Sequence, residues 1–293
     1  ARVRVPIPRG ESGLFVLTVR SGTRKQQVAL PVRSSAPHRV LVVLPAITWA
    51  GRNPADDDGD GAINTLDRGV GAAVDRVMVG DGTGLPVGLG THEAKVLAYL
   101  DRNRHRYDLT TDWALYKGGP PARLDAYKGI LLAGDTRWLP ARVGARLRRF
   151  VRGGGTLASL GTQSLRAQVS VSRHDRLFQP TALDEEDLFG ARIGPLERTR
   201  PVTLTSFEDK LQWFAGGTGE LSGYTRLEPT LGLGTDLERV SAAVTPDAKP
   251  VVVGARFGNG LVLRTGLPEL ALRIDDDPNS TALMERTWTL LSQ

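Results

Sequence analysis

The 293-residue sequence predicts an α/β protein in which a parallel sheet lies between helices in three layers, with a short all-β segment in front of it. Two uninterrupted apolar runs, residues 39–44 and 129–134, have the length and composition of strands buried on both faces of a parallel sheet. Up to about residue 172, helix-spaced apolar segments alternate with such runs, and that order implies right-handed crossovers within one sheet. Period-two alternation over the first 33 residues marks a separate β segment.

In chain order, residues 2–7, 14–19 and 26–32 read as strands, the last two joined at Ser21-Gly22. Three strands are too few to stand alone. Residues 1–35 are therefore expected to be the tail of a β-sandwich or an appendage packed on the main domain, which spans 36–293. The first strand of that domain, 39–44, runs into an acidic loop. Residues 91–103 follow as a helix with Thr91 as N-cap and Val96, Leu97 and Leu100 on one face, then a strand at 107–110. After the strand 129–134, Pro140 opens a helix whose apolar face is Val143, Leu147, Phe150 and Val151. Gly153-Gly154-Gly155 stops it before a strand at 156–160. Beyond residue 172 the pattern is irregular, with a charged run at Asp184-Glu185-Glu186-Asp187. Residues 251–257 and 261–265 form a hairpin around Gly258-Asn259-Gly260. A last helix covers 278–291; Asp277 caps it and Pro278 takes its first position, which accounts for the cluster Asp275-Asp276-Asp277 without a metal.

Composition narrows the classes of function. Hydrophobic residues make up 40% of the chain, enough for a sizeable core. The absence of Cys excludes disulfides, thiolate metal sites and a Cys nucleophile. No apolar stretch approaches the roughly 20 residues that a spanning helix needs, so no membrane span is expected. The net charge of +6 raises the question of nucleic acid, but the densest basic group, Arg142, Arg146, Arg148, Arg149 and Arg152, lies on a predicted helix that needs a polar face. A solvated face is the preferred reading, and the expected partner is a small molecule or protein. Residue 1 is Ala, so an initiator, with a signal segment or a further domain, is expected upstream, making the rest of its own chain a partner as well.

One stretch specifies a chemistry by its spacing. Asp56, Asp58 and Asp60 occupy positions one, three and five of a twelve-residue calcium loop, Ala62 offers its carbonyl from position seven, Asn64 holds position nine and Asp67 closes it. Gly61 sits at the sharp turn, and Ile63 is placed to anchor the loop to the core. All six ligand groups are hard oxygens, which selects Ca2+. A single loop lacks the paired, opening helices of a sensor, so a structural ion is expected. A weak calcium site stays filled outside the cell, which favours a secreted or cell-surface protein. The loop resembles that of dockerin modules over about a dozen residues, with Asp67 where an EF-hand has a longer Glu.

The strings Leu44-Pro45-Ala46-Ile47-Thr48-Trp49, Ala133-Gly134-Asp135 with Trp138, Phe150-Val151-Arg152-Gly153-Gly154-Gly155-Thr156-Leu157 and Phe257-Gly258-Asn259-Gly260 occur in an order that is characteristic. Over roughly residues 36–270 the chain resembles the C-terminal domain of the N,N-dimethylformamidase large subunit. That resemblance implies a class I glutamine amidotransferase-like, flavodoxin-like fold, an upstream β-sandwich and an amide-hydrolysing iron held by Tyr and Glu. This chain departs at the site: Arg52 stands in the family's Tyr place, and Asp135-Thr136-Arg137 replaces the segment that carries His, Glu and Tyr. Arg cannot ligate a cation, so iron is not expected. In the amidotransferase pattern Ser159 takes the nucleophile's place, yet His38, His92, His105 and His174 sit in no motif that would supply its base. Ser159 and Asp135 are the catalytic candidates. The sequence points to a calcium-binding domain that has lost its catalyst and serves in binding or as a structural module, with an amide hydrolase as the alternative.

Overall fold

A computed structural model describes residues 12–34, 36–80, 82–119, 121 and 123–293, with residue 24 described by its backbone alone. The strand expected at residues 2–7 lies outside them. Strands β1 (Gly13–Ser21) and β2 (Arg24–Val32) pair antiparallel, from Gly13 opposite Val32 to Ser21 opposite Arg24, as a sheet of their own. Two strands cannot bury a face unaided. Leu14 and Ala29 turn onto the main core, and the Gln27 amide donates to the Thr83 carbonyl at 3.1 Å.

The main sheet has nine strands: β3 (Val40–Leu44), β4 (Tyr107–Thr111), β5 (Gly129–Leu132), β6 (Thr156–Ser159), β7 (Glu197–Asp209), β8 (Glu220–Leu227), β9 (Leu237–Val244), β10 (Pro250–Phe257) and β11 (Gly260–Thr265). Their order is β8-β7-β9-β10-β11-β6-β5-β3-β4. Neighbours from β11 to β4 run parallel, and neighbours from β8 to β11 antiparallel. The sheet is therefore mixed. The three-layer, flavodoxin-like parallel sandwich of the class I glutamine amidotransferase-like type, expected from the sequence, is not what forms. Strand outweighs helix, and among the described residues four small sheets of two or three strands lie outside the main one. The segment that reads as irregular supplies the difference. β7 is rich in Thr and Arg, has a single buried residue and is bulged against both neighbours, so its apolar alternation is broken.

Helices α1 (Ala46–Arg52), α2 (Glu93–Arg102), α3 (Asp112–Lys117), α4 (Ala141–Arg152), α5 (Leu270–Arg273) and α6 (Pro278–Ser292) complete the regular structure. Every residue of β3 is buried, and its two faces enter two cores. Val40, Val42 and Leu44 pack with Leu97 and Leu100 of α2 and with Met284 and Trp288 of α6. Leu41 and Val43 pack with Leu115 of α3 and with Leu147 and Val151 of α4. The arginines of α4 serve its outer face: Arg142 lies 4.0 Å over the Tyr116 ring, and Arg146 donates to the Leu115 carbonyl at 2.8 Å. Asp277 caps α6 through Asn279 N and Ser280 N, as its position before Pro278 predicts. At α2 the N-cap is His92 without a side-chain bond, because Thr91 Oγ1 turns back to the Gly88 carbonyl at 3.1 Å. No helix among the described residues is long and apolar enough to cross a membrane.

Candidate functional site

The acidic loop leaves the end of α1 and folds on its own backbone. Asp56 Oδ1 accepts from Gly59 N at 2.7 Å and its Oδ2 from Gly61 N at 2.9 Å, while Asp60 Oδ1 accepts from Ala62 N at 2.7 Å. Those amides hold the Asp56 carboxyl below its usual range, the Gly61 bond first and the Gly59 bond second. Gly61 makes the turn at φ +87°, in the left-handed region. Oxygens of Asp56, Asp58 and Asp60 come within 4.8 Å of one another on the exposed side, so these three carboxylates can hold a metal ion. Asn64 is buried; its Nδ2 donates to Asp58 Oδ2 at 3.4 Å and its Oδ1 accepts from Asp57 N. Asp67 does not join them. Its carboxylate pairs with Arg137 at 2.9 Å and with Arg52 at 3.8 Å. A three-residue 3-10 turn, Leu66–Arg68, follows the loop, and Leu66 anchors it while Ile63 is exposed.

The residue that the calcium pattern ignores holds the loop in place. Asp57 points inward, accepts from Ala73 N at 2.7 Å and pairs with Arg76 at 2.9 Å, both side chains almost fully buried. Arg76 in turn donates to the carbonyls of Ala50, Asn53 and Ala55, tying α1 to the loop.

Arg52 leads from the loop into a cleft of about 290 Å³ at the carboxyl ends of the parallel strands. α1 contributes Trp49 and Arg52, the start of α2 contributes His92 and Glu93, and Asp135 follows β5. Arg52 donates to Asp135 Oδ2 at 3.1 Å and to Gln163 Oε1 at 3.0 Å, and Asp135 Oδ1 accepts from Thr162 N at 2.8 Å. Glu93 is 4% exposed; Trp49 Nε1 donates to its Oε1 at 3.2 Å, and its Oε2 has no partner. Burial pushes its carboxyl up to about 7 against the opposing effect of the Trp49 bond. The position exists because residue 134 is Gly: a Cβ there would stand 2.1 Å from Glu93 Oε1. Burial likewise lowers the His92 pKa, with Asp135 opposing and Arg226 assisting.

Of the two catalytic candidates, Asp135 lines this cleft and Ser159 does not. Ser159 is buried at the end of β6, and its Oγ has no hydrogen-bond partner, so no base is in reach of it. Nor does the cleft fit an iron held by Tyr and Glu. No Tyr lines it, and the Arg in the family's Tyr place is ion-paired with Asp135. Glu93 and His92 carry no signal in the sequence, since an acid in the first turn of a helix is ordinary and the residues packed on Glu93, Trp49 of α1 and Gly134 after β5, are some 40 positions away on either side.

No family model matches the chain, and no curated protein matches it. Among solved structures, a β-galactosidase from Bacillus circulans sp. alkalophilus aligns at 14% identity and TM-score 0.49, over 85% of this chain and 30% of its own. This chain thus spans less than a third of that enzyme. A cytoplasmic protein from Salmonella typhimurium aligns at 9% identity and TM-score 0.45 over 97% of both chains. A ThuA-like protein from Bacteroides uniformis aligns at 10% identity and TM-score 0.44, over 88% of this chain and 92% of its own. At these values none of the three assigns an activity.

Proposed function

We propose that the chain is a calcium-stabilised binding domain of a secreted or cell-surface protein, in which the ion fixes the acidic loop at the rim of a cleft that binds rather than transforms its ligand. The observation that carries this reading is the convergence of Asp56, Asp58 and Asp60 on a loop whose inner side is locked by Asp57 and Arg76. An ion held outside would brace the same turn that the ion pair braces inside, and so add to folding stability. Hard oxygen donors and the absence of His or Cys from the cluster select calcium over softer metals. With free calcium at about one hundred times its dissociation constant, linkage adds about 2.7 kcal/mol, which raises Tm by roughly 5 °C in a chain of this size. A thermal melt in calcium and again in excess chelator measures it. Asp60→Ala is expected to remove the difference, and equal melting of the wild type in both conditions would refute the reading.

Glu93 favours a second reading, an amide hydrolase related to N,N-dimethylformamidase. A buried carboxyl raised to about 7 is suited to general acid–base work near neutrality. Elemental analysis and an activity assay together separate the two: bound calcium with no amide hydrolysis supports the first. Release of dimethylamine from N,N-dimethylformamide, lost in Glu93→Gln, would establish the hydrolase.

A further inference from the structure

The hairpin of β1 and β2 has two edges, and they are finished differently. On β2, Gln27 turns its N–H away from β1 to the Thr83 carbonyl at 3.1 Å, and Pro31, on the same outward side, has no N–H to offer. Inward and outward backbone groups alternate along an antiparallel pair, and residues directly opposite share the same sense. Thr18 stands opposite Gln27, so Leu14, Val16, Thr18 and Arg20 turn their N–H and C=O groups to the outer edge of β1. Among the described residues no hydrogen bond from outside the hairpin reaches those groups. The β8 edge of the main sheet is capped instead: Arg273 takes the carbonyls of Ser222 and Gly223, and Glu269 accepts from Thr225 N at 2.9 Å. β1 carries no such cap, no Pro and no bulge, which leaves a template for another strand. From Leu14 to Arg20 that template is about 20 Å long.

The side chains beside the edge identify what pairs with it. On one face of the hairpin Phe15, Leu17 and Val19 lie beside Val28 and Leu30, with Val19 51% and Val28 41% exposed. Strand addition sets alternate residues of the incoming segment against this face, which calls for apolar ones. On the other face Arg20 stands directly opposite Lys25, a like-charge pair that an anion beside it relieves. Where β1 begins, Gly13, Leu14 and Phe15 border a cavity of about 610 Å³ together with Arg104 and Arg106. All four cations are exposed, and among the described residues none has a carboxylate partner. Asp101, the acid of that cavity, accepts from Tyr107 Oη at 2.8 Å. A second copy of the chain would bring the same cations to the edge, so charge opposes self-pairing and favours an acidic partner.

We infer that β1 is a docking edge for an acidic, extended segment of a partner protein. The segment adds as a third strand, with apolar residues beside Phe15, Leu17 and Val19. Its carboxylates lie beside Arg20 and Lys25 at one end and beside Arg104 and Arg106 at the other. Main-chain hydrogen bonds supply the affinity, and the apolar face and the cations select the sequence. Neither the acidic loop nor the cleft takes part.

Fluorescence anisotropy of a labelled heptapeptide, glutamate-valine-threonine-valine-threonine-valine-glutamate, titrated with the whole chain tests it, together with residue-resolved amide hydrogen exchange. The peptide is expected to bind saturably and to slow exchange of the Val16 and Thr18 amides at least about tenfold, amides that exchange freely in the chain by itself. With lysine in place of glutamate it should bind at least about tenfold more weakly. With both threonines N-methylated it loses the donors that face β1 and should not bind. Val16→Pro removes an outward donor without touching the ladder to β2 and should weaken binding about fivefold. Arg104→Ser combined with Arg106→Ser should weaken it about fivefold at low salt and less at high salt. A circular dichroism spectrum equal to the wild type's shows that each variant is folded. Absence of peptide binding, equal binding of the lysine peptide, or binding that leaves Val16 and Thr18 exchange unchanged would each overturn the inference. So would slow exchange of those amides in the chain by itself at any concentration, since the edge would then be taken by this chain or by a second copy.

Discussion

Glu93 sits in a setting far from that of water. It is held by Trp49 on one oxygen and by nothing on the other, and burial dominates its titration, raising it from 4.5 to about 7. Because the folded-state value is raised, the folded protein keeps a proton that the unfolded chain releases first. Its contribution to stability is complete below about pH 4.5 and is lost as pH rises through 7. The interval corresponds to roughly 3 kcal/mol. Glu93→Gln should therefore be more stable than the wild type by roughly 2 to 3 kcal/mol at pH 8 and indistinguishable from it at pH 4, as read from urea unfolding. Asp112, buried where it accepts from Ile47 N and also raised to about 7, adds the same slope to both proteins, so their difference isolates Glu93. His92 acts in the opposite sense: burial keeps it neutral, and its contribution is lost as pH falls. A variant that gains nothing at pH 8 would mean that Glu93 is solvated or already paired. Gly134 is the one trace of this arrangement in the sequence, and a Gly after a strand is too common to be read as a vacancy for a distant carboxyl.

At the scale of elements, the acidic loop divides into a side facing solvent and a side facing the core. Asp57→Ala would strand Arg76 in a nearly dry site, and breaking such a pair from one side costs roughly 3 to 5 kcal/mol. Asp58→Ala, on the exposed side, should stay within about 0.5 kcal/mol of the wild type in excess chelator. Denaturant melts of both variants check the asymmetry, and equal losses would contradict it. The alternation of Asp56, Asp58 and Asp60 was legible because ligand spacing is local; the role of Asp57 was not, because its partner is 19 residues away. The same distinction runs through the fold. β3, β5, β6 and α4 declare themselves by continuous apolar runs or a helical stripe, and the hairpin of β10 and β11 by its two-residue Gly258-Asn259 turn. β7 does not, since a bulged strand with a single buried residue leaves no period to detect.

Across the whole molecule, the parallel and antiparallel parts of the main sheet meet at β11, and one carboxylate sits against that seam. Glu228, the residue after β8, is fully buried; it pairs with Arg264 of β11 and, at 3.4 Å, with Arg166, and both its oxygens accept from Gln163 N at 3.0 Å. Gln163 lies at φ +54°, a left-handed conformation that a residue with a side chain keeps only when its surroundings impose it. Its Oε1 accepts from Arg52 at 3.0 Å and from Arg137 at 3.1 Å. A single chain of contacts therefore runs from the seam of the sheet through Gln163 to the guanidinium that links the cleft to the acidic loop. Glu228→Leu should lower stability by roughly 3 to 5 kcal/mol, because it leaves two guanidiniums buried without an anion. Arg264→Leu should cost less, since Arg166 and Gln163 N still satisfy the carboxylate. The double variant should lose less than the sum of the two, the signature of direct coupling. Guanidinium unfolding of the four proteins gives the cycle, and strict additivity would show that Glu228 and Arg264 act independently, removing the electrostatic tie between the two parts of the sheet.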